Sequence, residues 1–513
     1  MKDRIALLRN VAWVAMANYV EAATGLLAGV LIARTLGPAD YGLYAFSIWL
    51  CGVLVMASNN GLATSSIKFI AEARGAAGEA VAAALLRRFA RLQLASSGLV
   101  LAVFVIVIVA RPILDWRNEL WLMVGITVVA TWSRAGFWMW SSIGEGYEVF
   151  SPANLTLVAT ALLNVILVCA MSWKGATAEE FFILYAVLGV ISNLLLRFLI
   201  RRNGIQAGSE PIPKVLEKRL QRHVALTGVM MLILVLTNRS VEMTLLKHYT
   251  GNEAVGYFAI AGALTKGAVT LLAGGMAAVL LPAMSRRFGQ GGEQGLAGMV
   301  VESIRVYWLF GLIIAGLGLT VSGSLIHLLY GASYVGAIEA LKWNLVIAGL
   351  GAISGAFAAA LTVSEQQADR IRIALAALAV NLISGFVLIP VLGLKGAILS
   401  LALTHACGVA LSWIYCSRQV NFRLPIRPMA RQTLAAVVAT LLGVAAAQAL
   451  PLKWAFLSGA TAFLLIYLTL CVVLRTFKAA EFDLVAHLVA RIGPRAGGIP
   501  GRISNLKRFA LTD

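Results

Sequence analysis

The chain has 513 residues, 60% of them hydrophobic and 13% charged, with a mean hydropathy of +0.86. A soluble globular chain is roughly a quarter charged, so this composition excludes an ordinary water-soluble enzyme and a disordered protein and leaves a polytopic membrane protein. The formal net charge of +19 would point to nucleic acid in a soluble protein. In a membrane protein it is the excess of Lys and Arg on cytoplasmic loops, and no nucleic-acid partner is expected.

At roughly 20 apolar residues per span plus a connector, the length accommodates about fourteen helices and no large soluble domain. Lys2, Arg4 and Arg9 precede an apolar stretch that runs to about Arg34 with no small-residue cleavage site. This predicts a first spanning helix and not a removable signal. Spans are expected at 10–33, 42–70, 92–110, 120–142, 152–172 and 180–200, then at 224–247, 254–284, 300–322, 338–363, 371–391 and 396–416, and finally at 432–450 and 454–474. The segment 201–223, charged and carrying Pro211 and Pro213, reads as a cytoplasmic linker between an N-terminal six-helix bundle (1–200) and a second one (224–417). Residues 418–474 supply two additional spans, and 475–513 a basic cytoplasmic tail. In that tail Phe482, Val485, Leu488, Val489 and Ile492 fall at helical spacing ahead of several arginines, the pattern of a segment lying on anionic membrane lipids.

The connectors alternate in charge. Lys and Arg number about 28 on the side of the two termini and about 7 on the other, which predicts both termini in the cytoplasm. Cys51, Cys169, Cys407, Cys416 and Cys471 lie in or beside apolar runs, are odd in number and form no CxxC. They read as small buried hydrophobes and not as a disulfide framework or a metal site. No metal and no cofactor is expected.

The two bundles carry a repeat. Leu36-Gly37-Pro38-Ala39-Asp40-Tyr41-Gly42-Leu43-Tyr44-Ala45 aligns without gaps with Thr250-Gly251-Asn252-Glu253-Ala254-Val255-Gly256-Tyr257-Phe258-Ala259. Glycines recur where tight turns between helices need positive φ. Six helices separate the copies, so both point the same way across the membrane, as in a parallel repeat with a central cavity.

Ala33-Arg34-Thr35-Leu36-Gly37-Pro38-Ala39-Asp40-Tyr41-Gly42-Leu43-Tyr44, Gly61-Leu62-Ala63 and Lys68-Phe69-Ile70-Ala71-Glu72 resemble the opening of the polysaccharide transporter family. Leu388-Ile389-Pro390 with Gly393-Leu394-Lys395-Gly396-Ala397 is similar to the family's turn between spans eleven and twelve, as are Tyr330-Gly331 and Tyr334 to the stretch between spans nine and ten. The resemblance runs along most of residues 1–420. The family's members flip lipid-linked O-antigen, capsule and exopolysaccharide repeat units, within the superfamily of multidrug, oligosaccharidyl-lipid and polysaccharide exporters. It implies an all-α fold of two alternately opening bundles in the bacterial inner membrane and an undecaprenyl-pyrophosphate-linked oligosaccharide as substrate. It also makes polysaccharide polymerase or assembly machinery a partner.

Charges inside hydrocarbon cost roughly 2.5–3.5 kcal/mol each at a helix centre on insertion scales, so those at mid-span call for a role. Arg134, Arg239 and Lys266 are candidates for a cationic cavity that binds phosphate and acidic sugars. Glu21 and Glu242 are candidates for coupling to H+ or Na+. The alternative for the same residues is structural: Arg239 pairing with Glu242 three residues on, and Arg134 with Glu21. Trp138 and Trp132 in span four are candidates for sugar stacking, against an interfacial belt. Arg197 and Arg305, nearer span ends, read as snorkelling side chains. Gly25-x-x-x-Gly29 and Gly351-x-x-x-Gly355 permit close helix contact or bending.

No GxxxxGK[ST], HExxH or serine-nucleophile elbow occurs, so neither ATP hydrolysis nor an enzyme is expected. The competing readings are a cation-coupled multidrug exporter of the same superfamily and a flippase for the peptidoglycan lipid precursor. A membrane glycan polymerase or ligase would need a larger external loop than any present.

Overall fold

The computed structural model of the protein describes residues 2–76, 78–110, 120–237, 239–364 and 366–477. The amphipathic stretch expected at 482–492, with the basic residues after it, lies outside the described residues. These fold into α1 (Lys2–Asn59), α2 (Leu62–Ala76), α3 (Glu79–Ala110), α4 (Leu120–Gly146), α5 (Ser151–Trp173), α6 (Ala178–Arg202), α7 (Lys214–Thr237) and α8 (Ser240–Tyr249). Then follow α9 (Asn252–Leu329), α10 (Ala337–Gly351), α11 (Ser354–Val363), α12 (Gln367–Leu392), α13 (Leu394–Val420), α14 (Ile426–Gln448) and α15 (Leu452–Val473). No strand occurs among the described residues.

Thirteen helical stretches are long and apolar enough to cross a membrane, and one of them, 13–76, covers the first two expected spans. The protein is an all-helical, multi-pass membrane protein. Local chemistry explains individual ends. Thr177 and Glu180 form a reciprocal capping box at the start of α6, with Thr177 N–H donating to Glu180 Oε2 at 2.8 Å and Glu180 N–H donating to Thr177 Oγ1 at 3.4 Å. Arg201 and Arg202 occupy its last turn, where cations favour the exposed carbonyls.

Several expected spans are broken where hydropathy gives no sign. The expected span 42–70 divides at Asn60 (φ 36°) and Gly61 (φ 77°), and the span 224–247 divides at Arg239 (φ 63°). The stretch between the second and third expected spans is helical too, to Ala76 in α2 and again from Glu79 in α3. Within the expected linker 201–223, helix resumes at Lys214, immediately after Pro213, a residue that fits the start of a helix but not its interior. The extended part is tied to α3 by Gly208 N–H donating to the Ala83 carbonyl at 2.9 Å.

The repeated motif behaves alike in both copies. Gly37 and Gly251 both have positive φ, 74° and 85°, which ends one helical arm and starts the next at little cost for glycine alone. Gly42 and Gly256 lie against each other. A Cβ on Gly256 would stand 2.5 Å from the Pro38 carbonyl oxygen and 3.3 Å from Gly42 Cα, and one on Gly42 would overlap the Asn252 carbonyl. Only glycines let α1 and the start of α9 cross this closely.

The chain divides into two compact units, one of residues 1–259 with 381–397, the other of 260–380 with 398–513. The first therefore takes in α7, α8, the start of α9, the end of α12 and the start of α13 besides the expected N-terminal bundle. The glycine crossing accounts for this, together with an apolar cluster that joins Phe46, Phe104 and Phe182 to Leu246, Phe258 and Ile389. A second cluster, around Phe69, Phe89, Ile143 and Leu220, holds the opposite ends of the same helices. Between the two clusters lie buried Ser58, Asn59, Gln93, Thr131, Ser133 and Asn193. In the second unit, α14 and α15 meet at Gly443 and Gly459, both 3.1 Å from Thr320 Cγ2 of α9 if a Cβ is added. Arg305 there is 6% exposed and donates to the Thr476 carbonyl at 3.4 Å, so it is enclosed and does not snorkel.

Candidate functional site

Small residues set the distance between α4 and α6. Gly136 of α4 faces the Asn193 side chain, whose Nδ2 would lie 2.8 Å from an added Cβ, and Gly189 of α6 faces Ser133 Oγ at 2.6 Å and Arg134 Cγ at 3.4 Å. Without a side chain at 189, Arg134 extends along α6. Its Cζ lies 3.5 Å from the centroid of the Tyr185 ring, and Nη2 donates to the Tyr185 carbonyl at 3.4 Å. A guanidinium over an aromatic face is held by the ring quadrupole, and more strongly where water is excluded. Its Nε is buried and has no hydrogen-bond partner among the described residues.

Arg134 borders an open cavity of about 430 Å³ inside the first unit, lined by α1, α4, α5 and α6. That volume is within the range of roughly 300–1,000 Å³ typical of ligand sites. Glu21 and Thr24 of α1, Trp138 of α4, Asn164 of α5, and Tyr185 and Ser192 of α6 also line it. Gly25 and Gly29 line it too, and an added Cβ at either would meet no described atom within 4 Å. They therefore widen the cavity and do not join two helices. Gly355 is the contrasting case, with Tyr307 Cζ 3.0 Å from an added Cβ.

The other candidates are distributed. Trp138, 55% exposed, faces the cavity with Arg134 and Glu21, whereas Trp132 borders a separate cavity of about 160 Å³ with Arg197 and Gln93. The two tryptophans therefore do not form one surface. Arg239 and Glu242 were expected on a continuous helix; instead the chain turns at Arg239, which precedes α8 in the left-handed conformation. Its Cζ lies 5.3 Å from the Phe258 ring centroid. Glu242 is fully buried and accepts a hydrogen bond from Asn381 Nδ2 at 2.6 Å, while its Oε2 has no hydrogen-bond partner among the described residues. Lys266 is exposed and belongs to the second unit.

Sequence reasoning did not single out Tyr185 or Asn381, and read Arg197 only as a snorkelling side chain near a span end. Asn381 alone carried a signal, as a carboxamide in the middle of an apolar run. Tyr185, and the cavity beside Arg197, become visible only when the neighbouring helix is in place. No group of three or more His, Cys, Asp or Glu among the described residues is arranged to hold a metal ion. The five cysteines are free.

Comparison with known proteins places these features in a family context. No curated protein matches the sequence significantly. Among solved structures, the lipid II flippase MurJ in an inward closed conformation is similar with a TM-score of 0.70 and 15% identity, covering 90% of this chain and 98% of that one. An inward-facing multidrug resistance MATE family transporter of the MOP superfamily gives a TM-score of 0.60 at 15% identity, covering 78% and 94%. A MOP superfamily transporter from Pyrococcus furiosus, reported with a binding pocket of reverse polarity, gives 0.52 at 14%, covering 81% and 95%. At these identities the likeness establishes the fold, which is that of MurJ and the MATE transporters. Residues 7–288, more than half of the 513-residue chain, match the family described as polysaccharide biosynthesis protein, and this chain belongs to that family.

Proposed function

We propose that the protein translocates undecaprenyl-pyrophosphate-linked oligosaccharide repeat units from the cytoplasmic to the periplasmic leaflet of the bacterial inner membrane, by alternating access, for O-antigen, capsule or exopolysaccharide synthesis. The observation that carries this reading is Arg134, a guanidinium held within an apolar bundle beside a cavity, with a buried Nε that no described group satisfies. An unpaired buried donor is costly. A pyrophosphate oxygen completes its hydrogen bonds with a charge-assisted contact, strengthened by the low dielectric around it. The polar headgroup crosses inside the protein while its apolar chain stays in the bilayer.

In this reading Trp138, exposed in the same cavity, stacks on a sugar face. Glu21 at the cavity and Glu242 beside Asn381 are the coupling groups for H+ or Na+. Arg239 and Lys266 are further phosphate contacts at other stages of the cycle. Both termini are cytoplasmic. The alternative of a cation-coupled multidrug exporter is less well supported, because a cavity built around Arg134 repels cationic drugs.

The test is Arg134→Ala in the native host. The expected outcome is loss of surface polysaccharide, with undiminished protein in the membrane and accumulation of the lipid-linked repeat unit. Normal surface polysaccharide in the variant would refute the assignment of Arg134. A deletion strain that accumulates no lipid-linked saccharide would refute the flippase reading itself.

A further inference from the structure

The cavity of about 160 Å³ between α3, α4 and α6 is bordered by Gln93, Ser97, Trp132, Trp140 and Arg197. It is unlike the Arg134 cavity in size, depth and rim. Arg197 Cζ lies 5.6 Å from the centroid of Trp140, and its Nε is buried with no hydrogen-bond partner among the described residues. Gln93 is 6% exposed. Its Nε2 donates to the Ser58 carbonyl at 3.2 Å and to Ser97 Oγ at 2.9 Å, but its Oε1 has no hydrogen-bond partner among the described residues. The cavity is therefore bordered by one cationic and one neutral side chain, each with a polar atom left unsatisfied among the described residues.

Two of its residues lie near the ends of their helices. Arg197 precedes the end of α6 by five residues and Trp140 precedes the end of α4 by six. At about 1.5 Å per residue both lie roughly 8–9 Å inside the helix ends. The rim is apolar and open: Leu94 is 55% exposed and Trp132 41%, and on α6 Leu194 and Phe198, beside Arg197 in the helical repeat, are 59% and 60% exposed. Exposed Arg87, Arg91, Arg201 and Arg202 stand at the same ends of α3 and α6. Its volume, below the roughly 300 Å³ at which small-molecule sites begin, suits one phosphate and its alcohol better than a sugar-linked diphosphate.

We infer that this cavity binds the headgroup of an anionic, hydroxyl-bearing phospholipid of the bilayer, its phosphate on Arg197 and a headgroup hydroxyl donating to Gln93 Oε1, with the acyl chains along Leu94 and Trp132. A basic pocket between spanning helices, near the surface and opening to lipid, suits this chemistry.

The test uses the full-length protein in phosphatidylcholine nanodiscs with and without phosphatidylglycerol. Retained lipid is counted by native mass spectrometry and stability is read by thermal unfolding. Wild type is expected to retain phosphatidylglycerol and to melt higher in its presence, and Arg197→Gln to bind it about tenfold more weakly, with Arg134→Gln unchanged. Should Arg197→Gln fail to fold, Trp132→Ala, at the exposed rim, is expected to lose the retained lipid equally. Equal retention by wild type and the folded variants overturns the inference. So does an equal rise in melting temperature from soluble glycerol phosphate, which would assign the cavity to free phosphate. Loss of retention in Arg134→Gln would instead move the lipid to the transport cavity and overturn it too.

Discussion

A carboxyl group that is fully buried, with one oxygen on the Asn381 amide and the other without a hydrogen-bond partner among the described residues, is costly in its charged form unless a proton or cation joins it. Glu242 is in this state, and Arg239 does not relieve it through a hydrogen bond, because the turn at Arg239 directs that guanidinium to the Phe258 ring. Glu242→Gln keeps an oxygen for Asn381 Nδ2 and removes the charge. The expected result is an unchanged melting temperature with translocation in proteoliposomes that no longer responds to an imposed proton or sodium gradient; an unaltered response would leave Glu242 a purely structural group. Arg134 differs, since its ring contact with Tyr185 satisfies the cation only in part and leaves a donor for ligand.

Elements meet where side chains are missing. The crossing of α1 and α9 depends on Gly42 and Gly256, and a Cβ at 256 would press 2.5 Å from the Pro38 carbonyl oxygen. Neither partner there is the far end of a flexible side chain, so Gly256→Ala should destabilise by about 1–3 kcal/mol through overpacking. Gly98 in α3 meets no described atom within 4 Å of an added Cβ. Gly98→Ala should then be neutral or stabilise by up to about 1 kcal/mol, the helix preference for alanine. Thermal unfolding of both variants in the same detergent decides the point, and equal melting temperatures would mean the crossing is loose. The repeat aligned Gly37 with Gly251 and Gly42 with Gly256 from residue identity alone, and the shared positive φ of the first pair shows why the motif recurs. The break at Arg239 was not legible, since an arginine in the left-handed region has no compositional signature.

At the scale of the molecule, charge and hydropathy carry the orientation. About 28 Lys and Arg on one set of connectors against about 7 on the other predict cytoplasmic signals from reporter fusions at both residue 210 and residue 480. A periplasmic signal at either would overturn the proposed topology and with it the direction of transport. The partition into compact units follows packing and not chain order. Residues 381–397 join the first unit although more than a hundred residues separate them from its other members, because Ile389 and Ala397 are buried with Phe46 and Phe258.

Spans, repeat and family were already written in the order of the amino acids. Each is a property of a local window: twenty apolar residues demand a membrane, and a glycine before a proline demands a turn, whatever surrounds them. What polar groups do together belonged to the tertiary structure. The azimuth of each helix is fixed by where its small residues let a neighbour approach, so Gly136 and Gly189 decided that Arg134 meets Tyr185 and shares a cavity with Glu21 and Trp138. The same packing sent Trp132 to Arg197 and brought Asn381 to Glu242 across the chain.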